Sequence, residues 1–219
     1  MSIDSVSELL PFADADADAR LGGALSFCFQ GSYENVLLFD GDLVLDVLDG
    51  DFLESVVAAD GQEADIIAVA GDLTVTGQIA LYEYTPGLYV GGFTRAETLE
   101  GGDCEIYVKD GAFTHLVYGY YNDGTLETGE IETPWVINSD HDLRVNAPGA
   151  YRVDNMDYVD DADFSRENIA ASFVAEVVDS EYDSIIVHKF LDRLRAGLPV
   201  LLPGARSLHG KPRQGLPHP

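Results

Sequence analysis

Ile67-Ala68-Val69-Ala70-Gly71-Asp72-Leu73, Gly87-Leu88-Tyr89-Val90-Gly91-Gly92-Phe93, Glu105-Ile106-Tyr107-Val108-Lys109-Asp110-Gly111 and Thr125-Leu126-Glu127-Thr128-Gly129-Glu130-Ile131 carry one short pattern four times. Each is a β-branched or aromatic run that reaches Gly or Asp and restarts with alternating apolar residues. The register positions 71, 91, 110 and 129 are 20, 19 and 19 residues apart. A nearly constant period of about 20 residues marks stacked supersecondary units. Within the units apolar or aromatic residues recur at every second place, as in Leu73 and Val75, Tyr82 and Tyr84, or Phe113, His115 and Val117. Period two means strands.

Short strands joined by turns at this period predict a mainly β chain: a single-stranded, right-handed β-helix-like solenoid with coils stacked through main-chain hydrogen bonds. An antiparallel meander or sandwich also carries frequent turn signals. The constant glycine register favours the solenoid.

Outward from the repeat, Val36 to Leu45 has the shape of a rung, and Gly41-Asp42-Leu43 matches Gly71-Asp72-Leu73. The step from 41 to 71 is 30, so ten extra residues intrude. They are assigned to a loop between Leu48 and Gln62, where turn formers cluster. Beyond Ile137 the rung pattern stops, and residues 138–163 read as a closing turn and an acidic connector. Residues 164–196 switch to helical spacing, predicting two amphipathic helices, one carrying Phe164 to Val178 and one Ile185 to Leu194. Arg193 and Arg195 in the last turn, with Gly197 and Pro199 beyond, mark the end of the second. These helices are expected to cap the stack. The expected organisation is an acidic N-terminal segment (1–24), a solenoid (25–147), a connector with a C-terminal α-helical cap (148–202) and a disordered tail (203–219).

The chain has 219 residues, 39 acidic against 12 basic, for a net charge of −27. Residues 1–143 hold 28 acidic side chains against only Arg20, Arg95 and Lys109, so the charge sits on the repeat body. Self-repulsion of this size argues against nucleic acid and anionic membrane as partners and favours a basic protein. Cys28 and Cys104, with no CxxC, indicate a reducing compartment and no disulfide framework. No run approaches the ~20 apolar residues of a membrane span, and Met1-Ser2-Ile3-Asp4 does not open a signal peptide. The expected location is cytoplasmic.

Motifs for catalysis or cofactor binding are scarce: GxSxG, HExxH, GxxxxGK[ST] and GxGxxG are all missing. No cofactor and no metal are expected. Asp14, Asp16 and Asp18 alternate as at the start of a calcium loop, but Ala19 and Leu25 stand where that loop needs Gly and Glu. His115, on a strand, reads as a structural histidine. Two clusters remain as candidate binding residues. Tyr118, Tyr120 and Tyr121 flank the turn formed by Asn122 and Asp123, making a polar-edged aromatic surface or an inter-coil stack. Asp140, His141 and Asp142 place carboxylates beside an imidazole, although neighbours on a strand face opposite ways.

Gly71-Asp72-Leu73-Thr74-Val75, Tyr120-Tyr121-Asn122-Asp123-Gly124 and Asn138-Ser139-Asp140-His141 resemble a group of short bacterial proteins with "GDL" rungs and a "YNxG" turn. The resemblance extends over roughly residues 35–202, including Leu191-Asp192-Arg193-Leu194-Arg195-Ala196-Gly197. Such proteins are often labelled polymer-forming or bactofilin-like. Lys109-Asp110 departs from the pattern where a rung glycine would stand. The resemblance implies a solenoid and either self-association or, as for some small acidic proteins of this sort, an immunity-type role against a toxin; it carries over no catalytic residue. Three functional expectations follow: an acidic protein docking a basic partner, a toxin among the candidates; a self-assembling scaffold; and an enzyme using His141 with Asp140 or Asp142.

Overall fold

The computed structural model describes residues 7–57, 63–82, 85–121, 123–157, 162–205 and 207–208. The chain is a β-solenoid whose coils share one continuous sheet of parallel ladders. Three faces recur along it. Face one stacks β2 (Asn35–Phe39), β4 (Ile66–Val69) and the first parts of β7 (Gly87–Gly101), β8 (Glu105–Tyr120) and β9 (Thr125–Glu132), then β11 (Asp142–Asn146). Face two stacks β3 (Leu43–Leu45), β5 (Leu73–Val75), the middles of β7 and β8 and the end of β9. Face three stacks β6 (Gln78–Leu81), the ends of β7 and β8, then β10 (Trp135–Ser139) and β12 (Tyr151–Asp154).

Alternation sends one side chain in two to the interior, where like residues lie above one another. On face one Leu37, Ile67, Leu88, Ile106 and Leu126 form a column, and on face three Ile79, Leu99, Val117 and Val136 form another. Each fully buried aliphatic side chain contributes about 1.5–3 kcal/mol of hydrophobic stabilisation. After a first step of 30, which spans the inserted residues, the steps along the face-one column are 21, 18 and 20, close to the sequence period. One register differs. Gly71 stacks under Gly92, whose N–H donates to Gly71 O at 3.0 Å, and not under Gly91. A bulge between Val90 and Phe93 shifts the ladder by one residue.

The Gly-Asp pair now has a physical cause. Asp42 Oδ1 accepts the N–H of Asp72, and Asp72 Oδ1 accepts the N–H of Phe93, each at 2.8 Å. The carboxylate of one coil therefore satisfies the corner backbone of the next. It crosses over the following glycine: a Cβ on Gly92 would lie 2.4 Å from Gly71 O and 2.6 Å from Asp72 Oδ1. Any side chain there would collide with backbone and carboxylate together.

Three sequence expectations are corrected. The intrusion in the first coil is a helix, α3 (Gly50–Val57), with Leu53 buried in the core, not a plain loop. The ladder does not stop at Ile137, since β11 and β12 add a further coil parallel to β9 and β10. Phe164 then bridges Val153 beyond it. The repeat was lost to the eye because β11 spends its outward positions on Asp142, Arg144 and Asn146. Finally, only the second of the two helices forms at length, as α5 (Val187–Arg195), with Arg193 and Arg195 in its last turn and Gly197 at φ +65° behind it. The first dissolves into a single turn, α4 (Ile169–Ser172), a 3-10 turn at Ala175–Val177 and a small hairpin of β13 (Val178–Asp179) and β14 (Ser184–Ile185). Its apolar residues are spent on a compact cluster, so helical spacing reported burial and not helix.

Both terminal segments clothe the solenoid. β1 (Ser7–Pro11) pairs antiparallel with β2, closing that edge of face one. With α1 (Phe12–Asp16) and α2 (Ala24–Cys28) it covers the outward residues Val36, Leu38, Ile66 and Ala68. The carboxylates of the alternating aspartates diverge: Asp16 accepts from Ser26, and Asp18 grips Arg20 at 2.6 Å, which holds its carboxyl down at about 2. The C-terminal segment covers outer face three, where Trp135 packs against Tyr151, Phe164, Phe173 and Phe190. Among the described residues, face two has no such cover from either segment's cluster. Cys28 and Cys104 are free thiols. No helix among the described residues is long and apolar enough to cross a membrane.

Candidate binding groove on face three

Tyr118 and Tyr120 stand on the outer side of face three at the end of β8, two residues apart and so on the same side of the strand. Their rings are 6.1 Å apart, and Tyr120 also meets Tyr121 at 6.2 Å and Tyr82 edge-on at 6.5 Å. Tyr118 is buried, and burial pushes its hydroxyl up to about 12. Tyr120 and Tyr121 are 45% and 47% exposed. Tyr121, at the start of this turn, has a positive φ of +76°. Asn122 lies outside the described residues, and Asp123 is exposed.

The three residues Asp140, His141 and Asp142 are not brought to one site. Asp140, at φ +64°, sits in a turn closed by Asn138, whose Oδ1 accepts the His141 N–H at 2.9 Å. Asp142 faces solvent and pairs with Arg144 at 2.6 Å. His141 turns inward. Its ring fills the corner left by Gly119, where a Cβ would come within 2.8 Å of Cδ2. Nδ1 lies 2.7 Å from Tyr121 O, and a carbonyl only accepts, so the proton of the neutral ring is on Nδ1. Nε2 is then a buried acceptor with no partner among the described residues.

Burial lowers the His141 pKa from its ordinary 6.5, and burial lowers that of His115 in the same way. Above about pH 6.5 both rings are neutral in folded and unfolded chains alike and favour neither. Below it the unfolded chain takes up the proton first, so stability is lost as pH falls toward the lowered folded values. Urea unfolding of wild type and His141→Gln from about pH 7.5 down to about pH 5 is expected to show a smaller acid-side loss in the variant.

Between outer face three and the C-terminal segment runs a groove of about 1120 Å³. The solenoid side offers Tyr82, Glu100, Tyr118 and Tyr120; the other side offers Tyr182 and His188, among others. Sequence reasoning found two of these and missed Tyr82, Glu100, Tyr182 and His188. A signal for Glu100 existed: it interrupts the outward series that continues at Tyr118 and Ile137. Reading that series needs the ladder register, which pairs Glu100 with Tyr118.

Glu100 is 6% exposed, between Ala80 and Tyr118 in neighbouring coils. Thr98 Oγ1 donates to its Oε1 at 2.7 Å, and the Tyr82 hydroxyl donates to Oε2. Burial, then the charge of Glu100, raises the Tyr82 pKa, which keeps the phenol a donor. Tyr82 stays partly exposed, with its hydroxyl turned onto Glu100. Among the described residues no group of three or more His, Cys, Asp or Glu gathers as metal ligands. The arrangement is suited to holding a ligand against aromatic rings and a carboxylate.

No family model, no curated protein and no solved structure matches the chain, so a functional reading rests on its own residues.

Proposed function

We propose that this is a non-enzymatic acidic binding protein that docks a basic protein partner on its solenoid surface, as an immunity protein docks a toxin. The observation that supports this best is the column of carboxylates at the corner leading into face two. Asp42, Asp72, Asp110 and Glu130 precede the paired residues Leu43, Leu73, Gly111 and Ile131, with Phe93 in the remaining level. Adjacent coils lie about 4.8 Å apart, so these charges are held on a stiff ladder. Arg95 relieves Asp72 at 3.5 Å; among the described residues no ion pair reaches Asp42, Asp110 or Glu130. A basic surface laid along the ladder offsets the repulsion, steers encounter and meets a site that needs no ordering.

The test uses the native host's extract and the purified chain. A basic protein is expected to be captured with an affinity that falls as salt rises. Asp110→Lys combined with Glu130→Lys is expected to weaken capture at least about tenfold while the circular dichroism stays unchanged. Absence of any salt-sensitive partner, or an unchanged affinity in the double variant, counts against the reading. A second reading, self-assembly, is favoured by one observation: among the described residues β3 and β11, at opposite ends, each pair on one side only. Sedimentation at high concentration separates it, since a scaffold polymerises and a docking protein stays small.

A further inference from the structure

We propose that the groove on face three binds an organic ammonium group, with Glu100 as the counter-ion and the rings of Tyr82 and Tyr120 as walls. The site is separate from the carboxylate column at face two, so it stands whether or not a basic protein docks there.

The first reason is the state of Glu100. A carboxylate this enclosed is costly unless its charge is answered. Two hydroxyls, from Thr98 and Tyr82, orient it but bring no positive charge. The two arginines that line the groove are committed elsewhere. Arg195 bonds Glu97 at 3.1 Å and Gln78 at 3.2 Å, and Arg166 turns its Nε to Asn155 O at 3.1 Å. Among the described residues no ion pair includes Glu100.

The second reason is what surrounds it. Glu100 lines an open groove and does not lie in a sealed core. Tyr82 and Tyr120 stand nearly perpendicular, at 80°, and both are partly exposed. Aromatic faces attract cations through the ring quadrupole, most strongly where water is displaced. A hard metal ion wants several oxygen ligands together, and Glu100 is a single carboxylate flanked by neutral hydroxyls. An anion would be repelled. An alkylammonium, with one charge in an apolar jacket, answers both the carboxylate and the rings.

The chemistry has two sources, a free small ammonium compound or the side chain of a lysine on a protein, and the experiment separates them. The full-length protein is titrated by nuclear magnetic resonance with tetramethylammonium chloride, with N-acetyl-lysine amide, with 3,3-dimethyl-1-butanol as a neutral analogue, and with sodium chloride. Saturable binding of at least one ammonium probe is expected, absent for the neutral analogue and for sodium, and the tighter of the two ammonium probes names the source. Glu100→Gln, which keeps the size of the side chain, is expected to weaken binding about tenfold, and Tyr120→Leu several-fold. Tyr120 is exposed enough that its variant tests the site even if Glu100→Gln does not fold. No saturation by either ammonium, equal binding of the neutral analogue, or undiminished binding in a folded variant overturns the proposal.

Discussion

Gly129→Ala is expected to destabilise the protein by about 3 kcal/mol, lowering Tm by roughly 6–12 °C. A Cβ on Gly129 would lie 1.9 Å from Lys109 O and 3.1 Å from Lys109 C, atoms of the neighbouring coil's main chain. Neither can swing aside as a side-chain tip could, so the ladder between β8 and β9 must open. Because face one carries the stack through both strands, the disturbance reaches the coils beyond. Gly50→Ala is the matched control: a Cβ there meets nothing within 4 Å, and the residue begins α3. Its change is expected to stay within about 0.5 kcal/mol. Thermal unfolding by circular dichroism of the two variants checks the contrast, and equal melting points would remove the steric account.

Trp135→Ala is expected to cost about 3–5 kcal/mol, the range for deleting a large buried aromatic side chain. Trp135 is 1% exposed and lies at the junction of solenoid and C-terminal segment. Its ring centroid is 5.1 Å from Tyr151 and 5.1 Å from Phe190, the latter at 87°, and 5.9 Å from Phe173. The loss therefore falls on the contact between two layers. Cleavage by a protease within residues 162–205 is expected to become faster than cleavage in the solenoid, which keeps its separate interior core. Trp135→Phe should cost well under half as much. It keeps most of the ring and removes the indole N–H, which has no hydrogen-bond partner among the described residues. Uniform proteolysis of Trp135→Ala along the chain would show that the two clusters do not open separately.

Much of the architecture was legible because a solenoid repeats its own packing problem. Leu73 and Val75 alternate for the same reason as Leu43 and Leu45: each coil meets the same interior. The same regularity hid the last coil, since Arg144 and Asn146 face outward and so obscured Leu143 and Val145. Helical spacing over 164–178 misled because Phe164, Ile169, Phe173 and Val177 face one cluster through irregular backbone. The site was less legible. Tyr118, Tyr120 and Tyr121 do gather on one end of face three, because the first two share one side of β8 and the third follows directly at its end. Asp140, His141 and Asp142 do not converge, because alternation sends His141 inward and Asp142 out.

From the sequence alone came the coil period, the alternating interior, the concentration of acidic charge on residues 1–143 and the C-terminal helix ending near Arg195. These are local or compositional properties, and each is written in neighbouring residues. The tertiary structure alone decided the one-residue shift that puts Gly92 over Gly71, the inward turn of His141, and the groove that joins Tyr82 and Glu100 to Tyr182 and His188. Those depend on inter-coil register and on which outer face each terminal segment covers. Contacts separated by scores of residues along the chain leave no periodic trace in it.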